Sequence, residues 1–218
     1  MKLKILYDNE AKKPLASSWG FSALIEGEDE NLLFDTGDKG GILKNNMDKM
    51  DVDTNSINKI VISHEHHDHA EGFFDIFDES MEVYLLKAFS ERFKEKVKEK
   101  AKVIEVEGKR EISDGILTIG EIGNDIVEQS LLLEYDEGYI VLTGCAHPGL
   151  SNIIDKTSQY GKIKGAIGGF HGFDKFEDLN ELSIIVPCHC TEYKDKIRKK
   201  YPEKSMDCYA GLELEIGE

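Results

Sequence analysis

Between Val61 and Gly72 the chain reads VISHEHHDHAEG, and four of its seven histidines, with one aspartate, fall within the six positions His64 to His69. Imidazole and carboxylate are metal-ligating groups, and a surface loop has little reason to concentrate them behind a run of β-branched residues. His64 and His66 flank one residue, a spacing that lets two rings face one cation. Asp68 and His69 follow closely enough to serve a second. Such donors suit zinc, iron or manganese better than calcium or magnesium. Two ions roughly 3.5–4 Å apart can hold a shared hydroxide, the arrangement used in metal-assisted hydrolysis.

A loop of this kind needs a scaffold, and at 218 residues the chain can bury a sizeable core; it is read as one domain spanning 1–218. Lys and Arg number 27 against 43 Asp and Glu, a formal charge of −16 that repels phosphate backbones, so a nucleic-acid partner is not expected. The basic stretch TEYKDKIRKKYPEK near the C-terminus reads as a solvated helix face. No apolar run is long enough to span a bilayer, and the start, MKLKILYDNEAKK, lacks the apolar region of a signal peptide, so a cytoplasmic protein without membrane attachment is expected. Cysteines 145, 188, 190 and 208 are too few for a disulfide scaffold and are read as free thiols.

The elements follow from apolar periodicity. LKILYD, WGFSALIEG and ENLLFDTG read as strands separated by polar turns, and INKIVIS is a buried strand running into the histidines. Residues 87–101 place Phe89, Phe93, Val97 and Ala101 at every fourth position, an amphipathic helix. Strands are expected near 103–107, 116–119 and 130–135. DEG then forms a hairpin turn into YIVLTG. A helix at about 149–160, the strand IKGAIGG, a short helix, the strand LSIIVP and a helix from Thr191 complete the chain. Two strand-rich halves that each carry helices imply two sheets face to face with helices outside.

The segment from His64 to His69 is similar to the HxHxDH motif of the metallo-β-lactamase superfamily, and Phe34-Asp35-Thr36-Gly37 resembles the strand-end Asp-Thr-Gly that precedes it there. The resemblance runs in order along nearly the whole chain. It implies an α/β (α+β) fold, a four-layer αββα sandwich, with two divalent metal ions at one edge of the sheets, zinc first and iron or manganese as alternatives. By that match His64 and His66 bind one ion, and Asp68 and His69 the other; His67 falls at a variable position and is a bystander. TGCAHPGLSN, GGFH and PCHCT resemble the branch named for dihydropterin-6-methyl-4-(ribofuranosyl)aminobenzene phosphate synthase, in which His147 and His189 complete the ligand set.

Two departures stand out. Where many members carry a metal-bridging aspartate at the end of the strand corresponding to YIVLTG, this chain has Cys145, whose thiolate could coordinate zinc but whose thiol is expected to lie near the metals without being essential. The usual histidine before the hairpin is also missing, and Glu128 is read as a ligand, as a group behind a ligand, or as a strand-edge surface glutamate. Asp35 is expected to accept hydrogen bonds that orient the histidine loop. His171, after two glycines, is given a pocket role in substrate contact or proton transfer, and Asp68 a part in positioning the attacking water. Cys188 and Cys190 flank His189, so on an extended backbone both thiols point away from the imidazole. The resulting expectation is a hydrolase with a metal-bound hydroxide and a small-molecule substrate, phosphorylated or pterin-like among the options. A pterin-pathway transferase, an iron oxidoreductase and a non-catalytic redox module are the alternatives.

Overall fold

Short apolar blocks broken by polar turns become strands throughout the computed structural model, which describes residues 1–28, 30–76 and 81–217. In chain order they are β1 (Lys2–Tyr7), β2 (Ser22–Glu26), β3 (Asn31–Phe34), β4 (Ile57–Val61), β5 (Glu82–Leu86) and β6 (Lys102–Val106), which lie in one sheet. The second sheet holds β7 (Arg110–Ser113), β8 (Ile116–Thr118), β9 (Leu131–Tyr135), β10 (Gly138–Thr143), β11 (Ile163–Gly169) and β12 (Ile184–Cys188). A last strand, β13 (Glu213–Glu215), returns to the first sheet beside β1. The helices are α1 (Gly40–Lys49), α2 (His67–Ala70), α3 (Phe73–Ile76), α4 (Glu91–Lys98), α5 (Leu150–Ser158) and α6 (Lys194–Lys200).

Period-two alternation decides which way each strand faces. Leu131 and Leu133 of β9 and Ile140 and Leu142 of β10 join the core shared with Leu24, Leu33 and Ile60 of the first sheet. Their neighbours Leu132 and Val141 point the other way, onto Leu150 and Ile153 of α5 and Ile197 of α6. Outside the first sheet, α1 contributes Leu43 and Met47, and α4 contributes Phe93 and Val97. The layers are therefore αββα, as expected. Each fully buried Leu or Ile contributes roughly 1.5–3 kcal/mol against exposure, so the face-to-face contact holds the two sheets in one fixed relation.

Pairing is parallel from β3 through β6 and from β10 through β12, so the carboxyl ends of these strands lie along one margin of each sheet. In sheets of this kind the crevice beyond those ends is where ligands bind. Four residues just past them carry positive φ without being glycine: Asp35 (58°), Ala146 (56°), His171 (46°) and His189 (42°). Left-handed backbone at such residues costs of order 1–3 kcal/mol each and gathers where function demands a particular side-chain direction.

The helix expected over 87–101 is shorter. Ser90 caps it, its Oγ accepting the Phe93 N–H at 3.2 Å, so the first turn starts at Glu91. The helix expected from Thr191 begins at Lys194, because the chain is still turning out of β12 at His189. Strand β5 was hidden by its short apolar run, and β7 and β13 by their charge. Among the described residues, no helix is long and apolar enough to cross a membrane.

One buried polar residue ties the loop that precedes β2 to this frame. Asn46 on α1 donates from Nδ2 to the carbonyls of Leu6 and Ala16, each at 2.8 Å, and accepts the Ala16 N–H at 2.9 Å. Its loss leaves buried backbone groups without partners, at roughly 1–3 kcal/mol. Urea denaturation of Asn46→Ala should show a loss in that range; a change below about 0.5 kcal/mol would mean that water replaces the amide without penalty.

Candidate metal centre

His64 leaves β4 through Ile62 and Ser63, and hydrogen bonds behind its ring assign its tautomer. The Ser63 hydroxyl donates to Asp35 Oδ2 at 2.8 Å and lies 2.8 Å from His64 Nδ1. Ser63 Oγ therefore accepts from an Nδ1–H, and His64 Nε2 is left as a bare acceptor. That nitrogen is buried with no hydrogen-bond partner. It points toward His66, at the start of α2, and His147, beyond β10. The ligand atoms of the three rings lie within 4.8 Å of one another. His147 is oriented in the same fashion, with Nδ1 3.1 Å from Glu128 Oε2.

A second triad stands beside the first. Asp68 and His69 sit on α2, while His189 follows β12, and their ligand atoms also fall within 4.8 Å. His69 Nδ1 is 2.7 Å from Asp35 Oδ2, and His189 Nδ1 is 3.0 Å from Asn9 Oδ1, so both rings turn Nε2 inward. His189 Nε2 approaches Asp68 Oδ2 at 3.2 Å without hydrogen-bond geometry, a second buried imidazole nitrogen lacking a partner. Buried polar atoms are nearly always paired, so two orphans converging on one cluster mark a place for a cation.

Electrostatics prepare the same groups. Burial, reinforced by the neighbouring His189, drives the His69 ring down to about 3, and burial lowers His64 and His66 as well, so the rings are neutral lone-pair donors at pH 7. Burial raises the Asp68 carboxyl, but the His189 and His69 rings outweigh that and leave it well below the usual range. Burial likewise opposes ionisation of Glu128, yet His147, His64 and backbone N–H groups bring it down to about 2. Its carboxylate accepts the N–H groups of Gly144, Cys145, Ala146 and His147 at 2.8–3.1 Å. Four successive backbone donors around one carboxylate make an anion nest, which shapes the loop after β10. Burial pushes Asp35 well up; a cation nearby works in the opposite sense.

Glu128 is thus only 1% exposed and stands behind His147, which excludes the surface-glutamate reading. Asp35 occupies the orienting position expected of it. His67 is exposed, its Nδ1 3.9 Å from Asp68 Oδ1, and it belongs to neither triad. His171 is exposed, with its ring centroid 5.1 Å from that of His147. It shares with His147 a cleft of about 290 Å³ lined also by Leu150, Asn152, Phe170 and Lys175. The expectation for Cys190 is corrected: the left-handed turn at His189 breaks the extended backbone, and the Cys190 thiol comes within 4.8 Å of the Cys145 and His189 ligand atoms. Cys188 points away, toward Cys208 and Asp8. Sequence reasoning missed Ser63, Asp8 and Asn9. Asp8 accepts the His189 N–H at 2.7 Å, and the available signal was a second strand ending in polar residues, Tyr7-Asp8-Asn9, parallel to Phe34-Asp35.

Removing the charge behind His147 isolates the orienting effect. Glu128→Gln places an amide where several N–H donors converge. The first triad should lose zinc affinity about 10–100-fold while circular dichroism stays native. Competition titration against a chromogenic chelator measures it; unchanged affinity would show that the nest does not matter to the metal.

Residues 10–101, which contain both Asp35-Thr36-Gly37 and His64 to His69, match the family model described as "Anti-Pycsar protein Apyc1". Over 88% of its length the chain is 30% identical to an uncharacterized protein of Methanocaldococcus jannaschii, covering 91% of that protein. It is 27% identical to the 7,8-dihydropterin-6-methyl-4-(β-D-ribofuranosyl)-aminobenzene-5′-phosphate synthase of the same organism, over 83% of each chain. Among solved structures, Tm1679, a metal-dependent hydrolase of the β-lactamase superfamily, superposes with a TM-score of 0.83 at 28% identity, covering 100% of both chains. Two facing sheets with a cluster of histidines at the carboxyl ends of their strands are what this likeness requires, and the chain belongs to the metallo-β-lactamase superfamily.

Proposed function

We propose that this protein is a metal-dependent hydrolase acting on a small molecule. The two adjacent triads carry the reading: His64, His66 and His147 would hold one divalent ion, and Asp68, His69 and His189 the other. Five imidazole donors and a single ligating carboxylate fit zinc best, with iron or manganese as alternatives. When bound, the ions supply Lewis acidity and a water made nucleophilic near neutral pH. Asp68 would help to hold the second ion, and its carboxylate would orient an attacking water. His171, exposed at the cleft and next to His147, would contact the substrate and pass a proton to the leaving group. The cleft combines apolar Leu150 and Phe170 with Asn152 and Lys175, a lining suited to a compact molecule with a polar or anionic end. A surface of −16 disfavours nucleic acid as the substrate.

A transfer reaction is the second reading, supported by the 27% identity to a synthase. Incorporation of oxygen from labelled water into product separates hydrolysis from transfer. The first test is a panel of chromogenic phosphate and carboxylate esters offered to zinc-, iron- and manganese-loaded protein. Metal-dependent turnover of at least one class is expected; no turnover with any metal would overturn the hydrolase reading.

Three further outcomes follow from the assignment. Asp68→Asn should lower turnover at least 100-fold while shifting the thermal midpoint by only a few degrees, and equal loss of both would make Asp68 structural. His171→Ala should reduce kcat with metal content unchanged. Because each triad takes residues from both sheets, metal should also staple the fold. At free metal about 1,000-fold above Kd, one site adds roughly 4 kcal/mol, or about 8–16 °C for a chain of this size. Scanning calorimetry with and without chelator reads this directly, and coincident transitions would argue against metal at these residues.

A further inference from the structure

The thiol of Cys145 has no part in either triad, yet it lies against both. Strand β10 ends at Thr143, and Gly144 carries the chain past the Asp35–Ser63 pair; a Cβ on Gly144 would stand 2.1 Å from Ser63 Oγ and 3.0 Å from Asp35 Oδ2. Only glycine permits that approach. Next along the chain, Cys145 is held by its N–H, which donates to Glu128 Oε1 at 2.8 Å, and by the left-handed turn at Ala146. Its side chain is thereby set between the histidine loop and the β10 loop, 3% exposed.

We propose that Cys145 is a metal ligand, its thiolate shared between the two triads; the inference rests on the metal assignment given above. Cys145 Sγ lies 3.1 Å from His69 Nε2, and the ligand atoms of His64, His69 and Cys145 fall within 4.8 Å of one another, all three residues buried. This group draws one imidazole from each triad. Both rings carry their proton at Nδ1, so both Nε2 atoms are acceptors, and the single thiol hydrogen can satisfy only one of them. His69 takes it and His64 Nε2 stays unpaired. With an ion in each triad, each of these two nitrogens would face its own cation, and the sulfur between them would be shared by both. Two ligands at about 2.3 Å (sulfur) and 2.0 Å (nitrogen) from one zinc stand roughly 3.5 Å apart at a tetrahedral angle, close to the separation seen here. Binding would expel the thiol proton to solvent, and the thiolate would add an anionic donor to a set that otherwise holds one carboxylate, Asp68.

Cys190 is the rival thiol. It is less buried, it is grouped with His189 and Cys145 alone, and its Sγ is directed at the Cys145 carbonyl at 3.8 Å. A thiolate in the shared position makes the centre soft. It selects zinc, cobalt or ferrous iron over magnesium, calcium or manganese.

Cobalt(II) loading of the full chain tests this without any substrate. The wild-type protein should bind two ions and show a thiolate-to-cobalt charge-transfer band in the near ultraviolet. Cys145→Ser should abolish that band and lose one of the two ions, and Cys145→Ala should do the same, while Cys190→Ser keeps both band and ions. Circular dichroism of each metal-free variant against metal-free wild type separates ligand loss from misfolding, and a misfolded serine variant leaves the wild-type spectrum and Cys190→Ser as the deciding measurements. Two bound ions without a thiolate band overturn this inference and leave the triads standing, as does a band that survives in Cys145→Ser but vanishes in Cys190→Ser. Failure of wild-type protein to bind cobalt or zinc overturns the triads and the thiolate together.

Discussion

An imidazole can present one nitrogen to a cation in a fixed direction only if its other nitrogen is held by something that does not move. That constraint organises this molecule. Asp35, Glu128 and Asn9 are the holders, and each sits where a strand has just ended or is about to begin. Asp35 serves two histidines with one carboxylate, His69 directly and His64 through the Ser63 hydroxyl. The rest of its motif completes the clamp. Thr36 donates both its N–H and its hydroxyl to the His69 carbonyl, at 2.7 and 3.0 Å. Gly37, at φ 69°, passes so close to the Tyr7 ring that a Cβ would lie 2.7 Å from it. Asp-Thr-Gly is in this light a device for seating α2 against the end of β3.

The holders would be useless if the sheets could slide. Gln129, next to Glu128, prevents this at the site margin: its N–H donates to the Ser63 carbonyl at 2.9 Å, and its amide donates to the carbonyls of Ile62 and Tyr84 at 2.7 and 3.2 Å. Thr118 supplies the amide oxygen with a donor at 2.7 Å, so both the oxygen and the nitrogen of a fully buried glutamine side chain are hydrogen-bonded. Consecutive residues thus do complementary things. Glu128 shapes the loop that carries His147, and Gln129 locks that loop's sheet to the strands that carry His64. The positive-φ residues at four strand ends are the conformational cost of aiming side chains inward from a rigid margin.

How much of this could be read from the chain depends on whether the signal was local. His64 to His69 declares itself because ligand chemistry and spacing are contiguous, and β11 matches its expected bounds because IKGAIGG carries a single polar residue, Lys164, near its start. Glu128 stayed ambiguous because its partners lie 16 to 19 residues away, and no local pattern marks a carboxylate that will be surrounded by backbone donors. Ser63 and Asn9 were invisible for the same reason. Cys190 departs from its expected direction because alternation was extended two residues past β12, across a left-handed histidine that reverses the sense of the chain. Backbone turns of that kind are dictated by tertiary contacts, here the Asp8 carboxylate on the His189 N–H, and propensity does not report them.

Trp19 adds a property of a different sort. It is the only tryptophan in the chain, it is 55% exposed, and its ring meets that of His189 edge-on at 4.9 Å. An indole in contact with an imidazole changes its emission when that imidazole changes its charge or its partner. The molecule therefore carries an intrinsic fluorophore, free of background from other indoles, at the lip of the cluster on the His189 side. What happens at that end is optically visible in the unmodified protein, on the timescale of mixing rather than of crystallisation.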